Sequence, residues 1–397
     1  MCTQSRRVAE TIAIVFRMTG FGIYVHWPFC AAKCPYCDFN SHVRARIDED
    51  AWTDAIMREL EHVAQWQGDA KPIVETIFFG GGTPSLMSGK AVGAAIDKIA
   101  RLWRMANDVE ITLESNPASA DAERFRDYRL GGVNRVSLGV QALNDKDLKM
   151  LGRLHDVAEA KAALGMAMTT FDRVSLDLIY ARPDQTAQQW RDELKEALAF
   201  STDHLSLYQL TIEPATPFAT LARTGALTPL DDDNAATLYE ITQEMTEVAS
   251  RPAYEISNHA KPGEESRHNL LYWRYGQYAG VGPGAHGRLD IGGKRIATMT
   301  EKLPERWQQA VSRRGHGIVE ESDVSNGDAS REHLLMNLRL TEGIDLAAYK
   351  ARWNTTPDMA RVAELSEQGF LKTENGRLIA TPQGRLVLNR LIAEIAS

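Results

Sequence analysis

From residue 21 to about 215, short apolar runs alternate with longer stretches whose apolar positions recur at helical spacing. The runs Gly22–His26, Ile73–Phe79, Glu110–Glu114, Arg135–Val140, Arg173–Leu178 and His204–Thr211 predict strands. Asp50–Trp66, Ser88–Trp103, Ser119–Leu130 and Thr186–Phe200 predict the helices between them. Asp145 and Ser119 read as N-caps, and Pro183-Asp184 as a loop entering a helix. Six repeats of strand then helix predict a parallel α/β sheet, either doubly wound or rolled into an open barrel.

The placement of unusual residues favours the barrel. Cys30–Cys37 follows the first strand, Gly80-Gly81-Gly82-Thr83-Pro84 the second, and Glu114-Ser115-Asn116-Pro117 the third. Gln141 ends the fourth strand, Asp177 lies in the fifth, and Glu213-Pro214 follows the sixth. Parallel barrels collect their functional groups on that one face.

Residues 220–330 are mixed, with a helix near Asp233–Ala249 and a glycine-rich stretch from Tyr278 to Gly287. The final segment reads as helices Arg331–Leu340, Leu346–Arg352 and Asp358–Gln368, a hairpin Phe370–Ala380 turning at Glu374-Asn375-Gly376, then helix Thr381–Ile395. The expected division is an N-terminal extension (1–20), a partial (β/α)6 barrel (21–220), a connecting region (221–330) and a smaller winged-helix-like domain (331–397).

Composition adds the setting. The 397 residues are 44% hydrophobic and 25% charged, ordinary for a globular chain with a sizeable core. The net charge of −8, with no basic block, argues against nucleic acid as the main partner, and nearly balanced C-terminal charges argue against DNA binding there. Ser5-Arg6-Arg7-Val8 resembles a twin-arginine signal only superficially, since Arg17 interrupts the short apolar stretch Thr11–Phe16 and no small-residue cleavage site follows. No apolar run approaches the ~20 residues that span a bilayer, so no transmembrane segment is expected. Four cysteines and oxygen-sensitive thiolate chemistry point to a reducing cytoplasm.

Three of those cysteines fall within eight residues, Cys30-Ala-Ala-Lys-Cys34-Pro-Tyr-Cys37; the fourth is Cys2. Three thiolates on one loop suit three irons of a [4Fe–4S] cube, leaving the fourth open to a small molecule. Zinc is the competing reading, with His26, Asp38 or His42 as a fourth ligand, although zinc motifs usually split their ligands between two clusters. Gly80–Pro84 brings backbone groups close to a ligand, or is simply a tight β–α turn. Glu114 is placed to accept ribose hydroxyls and Arg153 to pair with a carboxylate; singly, each reads as a surface ion-pair residue.

These motifs together carry a resemblance. Tyr24-Val-His26-Trp-Pro28-Phe-Cys30-x3-Cys34-Pro-Tyr-Cys37-Asp-Phe39, Gly-Gly-Gly-Thr-Pro and Glu-Ser-Asn-Pro are similar to the radical S-adenosylmethionine superfamily. Within it the chain resembles the oxygen-independent coproporphyrinogen oxidase group, from about residue 21 to the C-terminus. The resemblance implies that Cys30, Cys34 and Cys37 ligate a [4Fe–4S] cluster. It also implies that Tyr24, Tyr36, Gly81, Gly82, Thr83, Glu114, Gln141, Arg153 and Asp177 contact S-adenosylmethionine.

Two departures from the oxidase narrow it. Phe39 stands where the oxidase carries a fourth cysteine, and the oxidase's longer N-terminal substrate-gripping segment is missing. Instead, His268-Asn269-Leu270-Leu271-Tyr272-Trp273 matches the His-Asn-x-x-Tyr-Trp signature of HemW-type haem chaperones. By that likeness His268 is the expected iron ligand of haem, Tyr272 and Trp273 wall residues, and Asn269 a supporting donor. His286 is a second histidine in the region, in a glycine setting that equally suits a bend. Gly282-Pro-Gly284-Ala-His-Gly287 fits a dinucleotide fingerprint by letter, but Pro283 and His286 suit a helix start badly.

The resemblance therefore implies a non-catalytic chaperone that binds haem and passes it to acceptor haemoproteins, including respiratory ones at the membrane surface, with a homodimer as a further expectation. The alternative is a radical enzyme acting on a tetrapyrrole, by decarboxylation of coproporphyrinogen III.

Overall fold

The computed structural model describes residues 20–69 and 71–396, so Cys2 and the Ser5–Val8 stretch lie outside the described residues. Six parallel strands neighbour one another in chain order: β1 Phe21–Trp27, β2 Val74–Gly81, β3 Met105–Ser115, β4 Arg135–Gln141, β5 Arg173–Tyr180 and β6 His204–Gln209. A doubly wound sheet reverses its strand order midway; this one does not, and it curls as an open barrel. Strand alternation divides the residues between two environments. Phe21, Ile23 and Val25 of β1 are unexposed in the main hydrophobic cluster, whereas Tyr24 and His26 face the barrel interior.

The intervening helices are α1 Glu49–Gln67, α2 Gly89–Leu102, α3 Ala122–Leu130, α4 Val157–Thr170 and α5 Ala187–Ala199. Leu60 of α1 and Ile99 of α2 are fully buried in the same cluster, each contributing about 2 kcal/mol by burial. Two N-caps fall elsewhere than expected. Asp121, not Ser119, caps α3, because Ser119 is held in a 3-10 turn, Pro117–Ser119. Asn144, not Asp145, caps the short helix Asp145–Met150, since the Asn144 side chain accepts from Asp147 N–H.

Beyond β6 the chain extends the same sheet at both ends. After α6 Asp232–Val248, β7 Asn258–Ala260 adds antiparallel to β6. Helix α7 Arg267–Trp273 then leads to β8 Gln277–Val281, which runs parallel to β1 on its free side. A meander of β9 His286–Ile291, β10 Lys294–Thr300 and, past α8 Pro304–Arg314, β11 Ile318–Asp323 completes eleven strands. The Gly282–Gly287 stretch joins β8 to β9 and opens no helix, which removes the dinucleotide reading. β11 ends the sheet, with Glu320, Glu321 and Asp323 exposed along it.

The remaining chain forms α9 Asn326–Asn337, α10 Leu346–Trp353, α11 Met359–Glu367, the hairpin β12 Leu371–Glu374 and β13 Arg377–Ala380, and α12 Leu388–Ile395. α9 starts at Asn326, five residues before the expected Arg331, because Ser325 caps it, its side chain accepting from Asp328 N–H. Leu334, Leu365, Leu378 and Leu391 make a second core. Tyr275, just past α7, enters that core and stacks on His333 at 5.5 Å.

Candidate functional site

The C-terminal ends of β2 to β6 surround a cavity of about 370 Å³, roofed by the cysteine loop. That loop is tied at its base: Phe29 and Cys30 pair with His42 and Val43, and Thr83 N–H bonds the Phe29 carbonyl at 2.8 Å. Cys30, Cys34 and Cys37 are free and line the cavity together. Thr83 Oγ1 donates to Cys30 Sγ at 3.4 Å, and Arg153 Nη1 to Cys34 Sγ at 3.5 Å. Burial pushes the Cys30 and Cys37 thiols up. Ser41 Oγ and Arg153 Nε, on two cavity-lining residues, are buried without a protein partner.

This donor set fits a [4Fe–4S] cluster. Donors aimed at sulfur stabilise thiolate charge, and orphaned donors leave capacity for a ligand. The competing zinc reading needs a fourth ligand beside the three thiols, which among the described residues are not themselves drawn together around a single metal ion, and the histidines it would use are engaged elsewhere. His26 spends both ring nitrogens, on the Tyr24 hydroxyl at 3.2 Å and the Asn40 carbonyl at 2.9 Å, and His42 Nε2 lies 3.2 Å from Asn40 Oδ1.

The cavity gathers most of the residues expected to contact S-adenosylmethionine: Tyr36, Gly81, Gly82, Thr83, Glu114, Gln141, Arg153 and Asp177. Gly82 is needed as glycine, since a Cβ there would lie 2.7 Å from the Phe29 carbonyl oxygen. Gly81 N–H donates to Glu114 Oε2 at 3.3 Å. Burial and the nearby Asp177 carboxylate push Glu114 up to about 8, against the pull of Gly81 N–H and the Arg135 guanidinium. Gln141 holds a φ of 76°, a strained conformation for a non-glycine residue, at the end of β4. Tyr24 is the exception among the expected contacts. It lies below the cavity, stacked on Phe78 at 6.2 Å.

Sequence reasoning missed the floor. Asp177 accepts from Ser137 Oγ at 2.9 Å and Ser175 Oγ at 2.8 Å. Having donated there, Ser175 accepts from His204 Nδ1 at 2.8 Å; His204 Nε2 then accepts from the Tyr254 hydroxyl at 2.9 Å, and Asn269 Nδ2 reaches that oxygen at 3.4 Å. One directed chain thus runs from Asp177 to Asn269, through a histidine that burial keeps neutral. Arg135 is buried among these groups, its one side-chain hydrogen bond a 3.5 Å contact to Thr112 Oγ1. The available signal was polar residues two apart in apolar strands: Arg135/Ser137, Ser175/Asp177 and Ser206/Tyr208.

The His-Asn-x-x-Tyr-Trp residues do not come together around an open site. α7 lies against the lower interior of the barrel, with Asn269 alone lining the cavity. His268 is 1% exposed, with Nδ1 2.7 Å from Thr76 Oγ1 and Nε2 2.7 Å from the Tyr272 hydroxyl. Burial pulls its pKa down to about 3. Both ring nitrogens of His268, the expected iron ligand, are hydrogen-bonded within the barrel here, so coordination of iron by it would require one of these bonds to open. Tyr272 is wedged edge-on against His268 and Tyr278, and Trp273 sits below Arg339, so neither forms a wall of the cavity.

The curled parallel sheet with a three-cysteine loop over its C-terminal mouth defines the radical S-adenosylmethionine class. The family model "Radical SAM superfamily" matches residues 24–197, and "HemN C-terminal domain" matches 324–387. The chain is 37% identical over 387 residues to heme chaperone HemW of Escherichia coli (strain K12), covering 95% of this chain and 98% of that one. It is also 37% identical over 386 residues to the mitochondrial radical S-adenosyl methionine domain-containing protein 1 of Bos taurus, covering 94% and 87%. Among solved structures, coproporphyrinogen III oxidase (HemN) from Escherichia coli superposes with a TM-score of 0.80 at 20% identity, over 98% of this chain and 93% of that one, a likeness of fold. The chain belongs to the HemW family of radical SAM proteins.

Proposed function

We propose that this chain is a haem chaperone on a radical S-adenosylmethionine scaffold, and that it acts without the oxidase's chemistry. The observation that carries this reading is the 37% identity to heme chaperone HemW over nearly the whole of both chains. Cys30, Cys34 and Cys37 would hold a [4Fe–4S] cluster, which when bound offers an iron open to the amine and carboxylate of S-adenosylmethionine. The backbone of Gly81 and Gly82 and the side chain of Thr83 would hold the methionyl end, and Arg153 would pair with its carboxylate. Glu114 would accept hydrogen bonds from the ribose hydroxyls, and Asp177 borders the same cavity.

Phe39, 59% exposed at the cavity mouth, stands where the oxidase has a cysteine, which supports the non-catalytic reading. Acceptor haemoproteins, a membrane-surface setting, a homodimer and a cytoplasmic location belong to the same proposal. Among the described residues no helix is long and apolar enough to cross a membrane. Haem binding is proposed for the chain, with His268 as the ligand the resemblance implies; its ring would first have to give up the bond to Thr76 or to Tyr272.

Paired assays on anaerobically reconstituted protein test this. Haem titration is expected to shift the Soret band at one equivalent, and the same preparation is expected to leave the propionates of coproporphyrinogen III intact. Loss of those carboxyls, with no Soret shift, would establish the enzyme instead.

A further inference from the structure

The glycine-rich stretch after β8 has no ligand role in the reading above, yet it meets the cysteine loop at one residue. Asn40, three residues past Cys37, donates through Nδ2 to the Pro283 carbonyl at 2.9 Å and to the Lys302 carbonyl at 2.9 Å. Its own carbonyl accepts from His26 Nε2 at 2.9 Å, and its Oδ1 lies 3.2 Å from His42 Nε2. One side chain thereby joins the roof of the cavity to the strands that extend the sheet. The receiving surface admits no side chain of its own. A Cβ on Gly284, whose φ is +75°, would lie 2.5 Å from Asn40 Nδ2. One on Gly282, at φ +100°, would lie 2.3 Å from the His26 carbonyl oxygen.

The turn is itself fixed. Gly282 N–H donates to the fully buried Glu59 carboxylate at 2.7 Å, and Gly284 N–H to the Glu301 carbonyl at 2.9 Å. The cysteine loop, by contrast, has one internal backbone bond between its cysteines, Cys37 N–H to the Cys34 carbonyl at 3.2 Å. A loop with so little of its own structure keeps a geometry only through outside ties.

We propose that Asn40 and the Gly282–Gly284 turn form a latch that positions the cysteine loop, making cluster retention depend on the sheet extension as well as on the three thiolates. Asn40 is a positioning residue. The inference rests on the cluster reading for its consequence, and on the hydrogen bonds alone for the latch.

Three variants, Asn40→Ala, Gly284→Ala and the pair, are compared with the native full chain. In cluster-free protein, amide exchange across residues 30–39 is expected to quicken about tenfold in each single variant, with the melting temperature little changed. In reconstituted protein, chelator removes iron about tenfold faster, and the electron paramagnetic resonance change on adding S-adenosylmethionine broadens. The pair is expected to match Asn40→Ala, because both substitutions act on the same junction between Asn40 and the turn. Native exchange in the cluster-free single variants overturns the latch, as does a pair whose effects add. If the native chain itself takes up no iron, the cluster reading fails while the exchange comparison still decides the latch.

Discussion

The two ends of the barrel hold similar residues put to opposite uses. Around Glu110, at the N-terminal end, buried polar groups are satisfied by one another. Glu110 accepts from Arg173 Nη1 at 2.6 Å and from the backbone N–H of Arg267 and His268 at 3.1 Å each, and His268 is bonded at both nitrogens. At the C-terminal end, Ser41 Oγ, Ser115 Oγ and Arg153 Nε are buried without protein partners beside the three free thiols. A satisfied network is scaffold; leftover donors beside free thiols leave capacity for a ligand, whereas others, such as Gln67 Nε2 and Arg295 Nε, are unpaired away from the cavity. The signature histidine falls on the satisfied side.

That contrast breaks most visibly at the cysteines. Cys34→Ala is expected to abolish cluster assembly, read as loss of the brown colour and of bound iron after reconstitution, while the apo fold melts as before. At the opposite end the order reverses. Glu110→Ala is expected to cost about 2–3 kcal/mol in urea unfolding, because it strands the backbone N–H groups of Arg267 and His268 and removes one of the two carboxylates on the half-buried Arg173, which keeps Glu264. The Glu110 pKa lies below its ordinary value, with the Arg135 and Arg173 charges and two N–H donors outweighing desolvation. Its contribution is therefore complete above about pH 4.3 and is lost as pH falls through the lower folded value. An acid-stability profile that is unchanged in Glu110→Gln would contradict this.

His268→Ala sharpens the comparison further. It is expected to cost about 2 kcal/mol through two lost hydrogen bonds and a lost ring, and to weaken the haem-induced Soret shift. A Soret shift left in place would remove His268 from the role of ligand. The smallest effect belongs to Glu114. With its pKa near 8, affinity for S-adenosylmethionine is expected to rise with pH up to about 8 and level off above. Glu114→Gln should flatten that profile and weaken binding about tenfold, roughly 1.4 kcal/mol; calorimetric titrations between pH 6.5 and 9 measure both.

Much of this was legible along the chain, for identifiable reasons. The six parallel strands stand out because both faces are enclosed, so Ile23, Ile77, Val136 and Leu205 fall in compact apolar runs. The cavity residues were visible because glycine, cysteine and carboxylate at strand ends have few structural uses. Helix α4 was missed between the fourth and fifth strands, since its run from Ala160 to Met168 is small or apolar on nearly every side and lacks a polar face. β7 was missed at three residues, too short to show alternation. The His268 motif was legible as letters only. Which partner each ring nitrogen has depends on Thr76, nearly two hundred positions away.

An open sheet has two margins where a foreign strand could be stitched on. β11 carries exposed Glu320 and Glu321, on opposite faces, and Asp323, paired with Lys294, along one of them, and a second copy approaching edge to edge would bring the same exposed glutamates near it. Charged residues on that margin discourage growth into fibrils by the edge-to-edge route.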